Sequence, residues 1–172
     1  MLKLIRPSKE REKEALAFKK EFFDNGENTI NGSELLDQTD SYEIWLQAVT
    51  NNASKASVNP EWVVTDTYFA IDENERIVGV IDFRHELKGF LKDFGNSGYS
   101  VRPSERKKGY ATQMLSLILE RAKETGLKSF QLSAKKSNTP SIKTIIKNGG
   151  KYSRSFTVNN EEADVYIIDL SH

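Results

Sequence analysis

The chain has no cysteine among its 172 residues. This absence excludes disulfide bonds, thiolate metal sites and any mechanism through an acyl-cysteine intermediate. The sequence also lacks the run of roughly 18 apolar residues that a membrane span needs, and its start, MLKLIRP, lacks the apolar core of a signal peptide. We therefore expect a soluble, cytoplasmic protein with no membrane partner.

Neither sign of charge is in excess. Lys and Arg number 25 and so do Asp and Glu, so no overall field attracts nucleic acid or an anionic surface. Basic residues are concentrated locally, around residues 102–108 and 135–147. The length favours one domain, residues 1–172, with a core that removes roughly 70% of the unfolded chain's surface from water.

The most informative stretch is residues 97–115, SGYSVRPSERKKGYATQML. It predicts a strand, then a basic turn that ends at Gly109, then a helix with one apolar face. The first amides of a helix have no internal partner and lie at the positive end of its dipole, so this turn suits a phosphate. Three side chains add positive charge and Gly109 has no Cβ to keep a ligand away. The charged residues are Arg106, Lys107 and Lys108.

Two interpretations of this turn remain open on charge and glycine alone. One is a site for an anionic ligand that carries a pyrophosphate. The other is a solvated basic turn in which Gly109 only caps the helix. The order of the residues favours the first, because RKKGYA at residues 106–111 fits the signature R-x-x-G-x-[GA].

That signature, together with the preceding strand, resembles the GNAT superfamily of acyl-CoA-dependent N-acetyltransferases. The resemblance implies that the loop wraps the pyrophosphate of CoA and that the strand carries the acetyl-pantetheine arm, with acetyl-CoA as cosubstrate. A second stretch, residues 138–150, resembles the family signature N-x-x-[AS] followed by a short helix. The resemblance implies these cofactor contacts: Tyr99, Ser100, Val101, Arg102, Arg106, Lys107, Lys108, Gly109, Tyr110, Ala111, Thr112, Asn138, Ser141, Lys143 and Lys147.

The rest of the chain predicts the order of elements expected for this family. Strands are predicted at residues 2–5, 67–71, 77–83, 97–101, 129–134, 151–158 and 163–170, and helices at 8–24, 40–49, 107–125 and 139–149. The fold class is α/β (α+β), a GNAT fold with a single mixed, mostly antiparallel sheet of about seven strands and about four helices. The strand-helix-strand unit of residues 97–134 implies a locally parallel pair. Thr139 is the expected N-cap of the last helix, with Pro140 after it.

Direct acetyl transfer to an amine needs a polarised carbonyl, a base for the amine and a proton for the leaving thiolate. The backbone N–H near Val101 can polarise the carbonyl if the strand bulges, as in the family. Many relatives place a tyrosine where this chain has Ile145, so the acid is absent, is water, or is Tyr152 or Tyr99. His85 and Glu86 follow a central strand and are the candidate bases, although His85 can equally be an uninvolved surface residue. We expect no metal.

Residues 25–62 predict loops and one helix beside the acceptor site of such an enzyme. Trp45 and Trp62 either line that site or belong to the core, as most aromatic residues do. The acceptor is expected to be a small-molecule or peptide amine, and a homodimer remains open. The alternative function is a non-catalytic acyl-CoA-binding or regulatory module, which would keep the glycine loop and lack the acid.

Overall fold

The structure is a computed structural model and describes residues 1–171. These residues form seven strands and five α-helices. The strands are β1 (Lys3–Ile5), β2 (Thr65–Ile71), β3 (Ile77–Arg84), β4 (Tyr99–Val101), β5 (Ser129–Lys135), β6 (Lys151–Val158) and β7 (Glu161–Asp169). The helices are α1 (Glu12–Asp24), α2 (Tyr42–Asn52), α3 (Leu91–Phe94), α4 (Tyr110–Glu124) and α5 (Thr139–Lys147). Every element that the sequence predicts is present, and α3 is the one it missed.

The strands form two sheets rather than one. The first has the order β1-β2-β3-β4 and the second the order β5-β7-β6, with every ladder antiparallel. The expected single sheet with a parallel pair between β4 and β5 is therefore wrong in this detail. The two sheets are joined by one antiparallel bridge between Gly95 and Leu132. Beyond that bridge β4 stays bonded to β3 and β5 to β7, so the facing edges of β4 and β5 are left apart.

Two apolar clusters pack on opposite faces of the first sheet. One contains Ile81 and Phe83 of β3 together with α4 and the buried Ile145 of α5. The other contains Val80 of β3 together with α1, α2 and the buried Trp45. Because neighbouring residues of a strand point to opposite faces, Asp82 lies on the α1 and α2 face. None of the helices within residues 1–171 is long and apolar enough to cross a membrane.

The starts of α5 and α2 follow local capping chemistry. Asn138, not Thr139, caps α5, since its side-chain oxygen accepts from the Ser141 amide at 3.3 Å. Ser41 caps α2 in the same way, by accepting from Ile44 at 3.2 Å. The α4 helix begins differently, after Gly109 in the left-handed region at φ +80°, with no side-chain cap. Its first amides are therefore left to another partner.

Candidate active site

The turn before α4 presents an unbroken run of amides that have no partner. Within the described residues no acceptor binds the backbone N–H groups of residues 107–109, and the first turn of α4 leaves those of residues 110–112 free by its geometry. Lys107 and Gly109 both have positive φ, at +66° and +80°. A backbone in which the sign of φ alternates from residue to residue makes a concave nest of N–H groups that binds anions. A Cβ at Gly109 would meet no atom within 4 Å, so the turn has open space in front of it.

The strand β4 has one bonded edge and one open edge. The bonded edge pairs with β3, and one hydrogen bond flanks this pairing at each end. Asp82 N donates to Gly98 O at 3.2 Å, and Arg102 N donates to Val78 O at 2.7 Å. Antiparallel alternation between these two bonds aims the N–H groups of Tyr99 and Val101 away from β3. The β3–β4 pairing contains no bulge. The open N–H of Val101 thus follows from the separation of the two sheets, and not from the bulge that the sequence suggested.

Helix α5 closes the side of the open edge. The Tyr99 hydroxyl lies 2.8 Å from Ser141 Oγ, which connects β4 to the first turn of α5. At its other end, Asn148 Nδ2 donates to Thr112 O at 3.3 Å and brings the last turn of α5, with Lys147, beside the start of α4. Burial raises the pKa of Tyr99, although its hydrogen bond with Ser141 opposes this. The structure therefore brings Tyr99 of β4, the glycine loop and α5 together around a groove at the open edge of β4. The predicted contact Ser100 points to the opposite face, because residues alternate along a strand, and its Oγ donates to Asn31 O at 2.8 Å.

The basic residues of the predicted site divide into those engaged by acids and those left free. Arg102 is buried and forms ion pairs with Glu14 at 3.0 Å and Glu21 at 2.8 Å. Its guanidinium is therefore held inside the protein by these two acids. Arg106 binds Glu27 with two bonds of 2.8 and 2.7 Å, and this pairing lowers the pKa of Glu27.

Lys108 pairs with Glu105 at 2.7 Å, and this bond raises the pKa of Lys108. Three lysines, all exposed, have no acidic partner in the described part of the chain. They are Lys107, Lys143 and Lys147. These three remain available to an anionic ligand.

The predicted base residues lie outside this groove. His85 stacks on Phe83 with ring centroids 4.4 Å apart and its Nε2 lies 2.7 Å from Asp66 Oδ2. Burial opposes ionisation of Asp66, but hydrogen bonds with His85 and Arg6 outweigh it and lower the pKa of Asp66. Because Phe83 belongs to the cluster on the α4 face, the His85 ring that stacks on it lies on that face too. Glu86 is exposed and lies 3.9 Å from Lys88.

Tyr152 is also separate from the groove. It lies on β6, which β7 separates from β5, so two interstrand spacings of about 4.8 Å each lie between Tyr152 and β5. Its hydroxyl lies 2.7 Å from Ser155 Oγ and its side chain is 59% exposed. Of the two tyrosines that the sequence proposed as the acid, Tyr99 is the one that the structure brings to the groove.

Sequence reasoning missed a carboxyl pair on the other face of β4. Asp82 is fully buried, and its Oδ1 accepts the Gly98 amide at 2.7 Å. Glu34, partly buried, lies beside it and accepts the Trp62 indole N–H at 2.9 Å. Burial, followed by the charge of Asp82, raises the pKa of Glu34 to about 9. The available signal was a lone acid, Asp82, inside the apolar run of β3.

The two tryptophans belong to this region in different ways. Trp45 is 1% exposed and belongs to the core, yet its indole N–H donates to Ser33 O at 2.8 Å and to Glu34 O at 3.1 Å. Trp62 is less buried and contacts Phe90 at 5.8 Å between ring centroids. No group of three His, Asp or Glu side chains in residues 1–171 is arranged to hold a metal ion.

Comparison with known proteins identifies the family of the chain. The family model described as "Acetyltransferase (GNAT) domain" matches residues 4–151. No curated protein matches the sequence. An N-acetyltransferase from Staphylococcus aureus superposes with a TM-score of 0.69, at 20% identity over 99% of each chain.

Two further solved structures share the fold. RimL, a ribosomal L7/L12 alpha-N-protein acetyltransferase in complex with coenzyme A, has a TM-score of 0.71 at 14% identity, over 99% of this chain and 94% of its own. A chimeric spermidine N-acetyltransferase from Vibrio cholerae has a TM-score of 0.66 at 13% identity, over 99% and 96%. The chain belongs to the GNAT acetyltransferase family and is an acetyltransferase with the GNAT fold.

Proposed function

We propose that the protein transfers an acetyl group from acetyl-CoA directly to a primary amine. The observation that carries this proposal is the run of partnerless amides over residues 107–112, beside the open edge of β4. Six consecutive donors at a helix N-terminus are suited to a pyrophosphate. The free lysines at positions 107, 143 and 147 add positive charge around the same groove.

The donor arm is assigned to the groove between β4 and α5. There Asn138 uses its side-chain oxygen to cap α5, and no described residue binds its amide nitrogen, which is left to donate to a pantetheine carbonyl. Acetyl-CoA supplies the acetyl group on an activated thioester. The Val101 N–H is the assigned donor to the carbonyl oxygen, on which negative charge develops during transfer.

Tyr99 is assigned as the proton donor to the leaving sulfur. Burial raises its pKa, so its hydroxyl remains protonated at neutral pH. Its bond to Ser141 fixes the hydroxyl position, and the buried Ile145 leaves no donor at the position where relatives carry tyrosine. Tyr99→Phe should therefore lower kcat with little change in acetyl-CoA affinity.

The acceptor class follows from the chemistry of acyl transfer and from what related proteins act on. One neighbour is described as acting on a protein amino terminus and another on spermidine, and both present primary amines. A small-molecule or peptide amine remains the proposal for this chain, and a homodimer remains a prediction for its assembly.

The test is release of free thiol from acetyl-CoA in the presence of a panel of polyamines, amino acids and short peptides. We expect at least one amine to stimulate thiol release by wild-type protein and none to stimulate it in a folded Gly109→Glu variant. Acetyl-CoA binding without thiol release for any amine would contradict the proposed function and favour an acyl-CoA-binding module.

A further inference from the structure

A buried acidic pair lies at the end of β4 opposite the glycine loop. Asp82 is 0% exposed; its Oδ1 accepts the Gly98 amide, while its Oδ2 has no hydrogen-bond donor. The nearest cation is Arg84, whose Nη1 lies 3.5 Å from Oδ2. That distance exceeds the 2.7–2.9 Å of a charge-assisted hydrogen bond. A buried carboxylate oxygen without a donor is costly and needs a partner.

Glu34 is the group placed to supply that partner. Its carboxyl is within hydrogen-bonding reach of Asp82, and its Oε1 accepts from Trp62 Nε1 at 2.9 Å. Two ionised carboxylates cannot hydrogen-bond to each other, but a proton on Glu34 gives Asp82 Oδ2 its donor. The charged groups that face Glu34 are Asp82 and Arg84, and Asp82 has the larger effect. The resting pair therefore holds one proton and one negative charge.

The loop that carries Glu34 is held against β4 in a strained conformation. Glu34 and Leu35 both have positive φ, at 50° and 73°. This left-handed conformation is unfavourable for residues that carry a Cβ. The strain is held by two contacts: Trp45 donates to Glu34 O, and Gly32 touches Gly98 so closely that a Cβ there would lie 2.2 Å from Gly98 O. Strained backbone that is held in place by several surrounding contacts is typical of functional positions.

We propose that Glu34 and Asp82 form a proton-sharing carboxyl pair that attracts the acceptor ammonium and accepts its proton. Glu34 is the proton acceptor and Asp82 is the positioning residue that keeps one proton on the pair. The proposal rests on the proposed acetyl transfer and specifies its substrate class, an amine that arrives as a cation.

The ammonium brings positive charge next to the pair, which favours loss of the shared proton to solvent. Glu34 then takes one proton from the ammonium nitrogen, whose lone pair forms the C–N bond while the C–S bond breaks and its electrons remain on sulfur. Tyr99 gives its proton to the sulfur and is reprotonated by the second amine proton. The pair ends as it began, and one proton is released for each amide formed.

The location of the pair fits this role. Gly98, which donates to Asp82, is three residues from Val101, or about 10 Å along an extended strand. The pair is therefore close to the reacting end of the groove without touching Val101, and a water molecule can relay the proton. A series of four aromatic rings, each in contact with the next, begins at the ring that donates to Glu34, and aromatic faces suit the carbon chain or the charge of an organic cation. The four rings are Trp62, Phe90, Phe94 and Phe156.

The first test needs neither amine nor cofactor. Because Trp62 donates to Glu34, a pH titration of tryptophan fluorescence should show a step with a midpoint near pH 9 in the wild type. Glu34→Gln should abolish the step, while it keeps an acceptor for Trp62 and gives Asp82 Oδ2 an amide donor. Asp82→Asn should move the midpoint about one pH unit or more downward, because the repelling charge is gone. Glu61→Gln, an exposed acid next to Trp62, should leave the step unchanged.

A step that survives in folded Glu34→Gln, or a midpoint that does not move in Asp82→Asn, would overturn the proposal even if the enzyme acetylates amines.

The second test uses an amine accepted in the panel. Glu34→Gln should then lower kcat at least about tenfold, since base assistance typically contributes 10²–10⁴-fold. The sequence instead indicated His85 or Glu86. If His85→Ala or Glu86→Ala lowers kcat and Glu34→Gln does not, the pair is not the base.

Discussion

The two ends of β4 are built in opposite ways. At the end that leads into α4, six consecutive amides have no partner and Gly109 faces open space. At the other end, Gly98 is pressed against Gly32, its amide is bonded to the buried Asp82, and the neighbouring Glu34 is partly buried. One end leaves donors for an external anion, while the other surrounds a carboxyl pair with protein.

This difference corresponds to the two substrates of an acetyltransferase. A pyrophosphate is recognised by backbone amides and by local charge, which one turn of chain can supply. A reactive amine needs a base whose pKa differs from that of an exposed carboxyl, and such a shift requires burial by distant segments. The loop at residues 31–35 and the strand β3 meet at Gly98, although they lie far apart in sequence.

The largest effect is expected at the open end, from Gly109→Glu. The new carboxylate would occupy the space that a phosphate must enter, so acetyl-CoA affinity should fall by more than about a hundredfold, on the order of 3 kcal/mol. Gly126→Glu is the matched control, because Gly126 follows the other end of α4 with φ +86° and equally open space. Both variants carry the same backbone strain. Calorimetry that finds equal affinities in the two folded variants would remove the cofactor from this loop.

The next effect is expected at the packed end, from Gly32→Ala. A Cβ there would lie 2.2 Å from Gly98 O, and overpacking of this kind costs about 1–3 kcal/mol beyond the backbone strain. Gly26→Ala is the control, because Gly26 has a similar φ of +76° and no atom within 4 Å of its Cβ. Urea unfolding should show that Gly32→Ala is less stable than Gly26→Ala by that amount. Equal stabilities would mean that the loop is not held against β4.

The same contrast explains what the sequence could predict. The glycine loop, β4 and the start of α4 lie within one short stretch, so their periodicity, glycine and charge were sufficient to predict them. The opening between the sheets was not predictable in this way, because it depends on where the last bridge, at Gly95 and Leu132, forms.

The carboxyl pair at the packed end of β4 was missed for a related reason. Its parts come from loop 31–35, β3 and Trp62, and no local pattern connects them. Glu34 lies in a polar loop where acids are usual, and nothing in the sequence shows that it is buried. The sequence favoured His85 as a base because histidine titrates near neutral pH. Because side chains alternate along a strand, His85 lies with Phe83 on the α4 face, opposite to the face of Asp82.

A smaller effect separates the two uses of Asn138. Asn138→Asp keeps the side-chain oxygen that caps α5 but loses the amide donor, so thermal stability should be unchanged. Acetyl-CoA affinity should nevertheless fall by about 1–2 kcal/mol, the order of a lost hydrogen bond. Asn138→Ala should lose both the cap and the affinity. If Asn138→Asp binds acetyl-CoA as tightly as the wild type, the residue serves only as a cap.

The last prediction concerns the change in stability per pH unit, which tests the carboxyl pair. The carboxyl of Glu34 has a pKa of about 9 in the folded protein, against 4.5 for an exposed glutamate. Between these values the native state holds a proton that the unfolded state has lost, so this group makes the free energy of unfolding decrease as pH rises. Its contribution is complete below about pH 4.5 and is lost as pH passes through 9. The slope is at most about 1.4 kcal/mol per pH unit.

Glu34→Gln should remove that slope, because the amide cannot ionise. Urea unfolding at several pH values from 5 to 9 should therefore show a flatter profile for Glu34→Gln than for the wild type, with the variant more stable at pH 8. Groups such as Asp66 and Glu21, whose pKa is lowered, act in the opposite direction and only at acidic pH, so they do not disturb this window. Parallel profiles would mean that Glu34 is ionised in the native state, and the packed end of β4 would then hold an ordinary carboxylate.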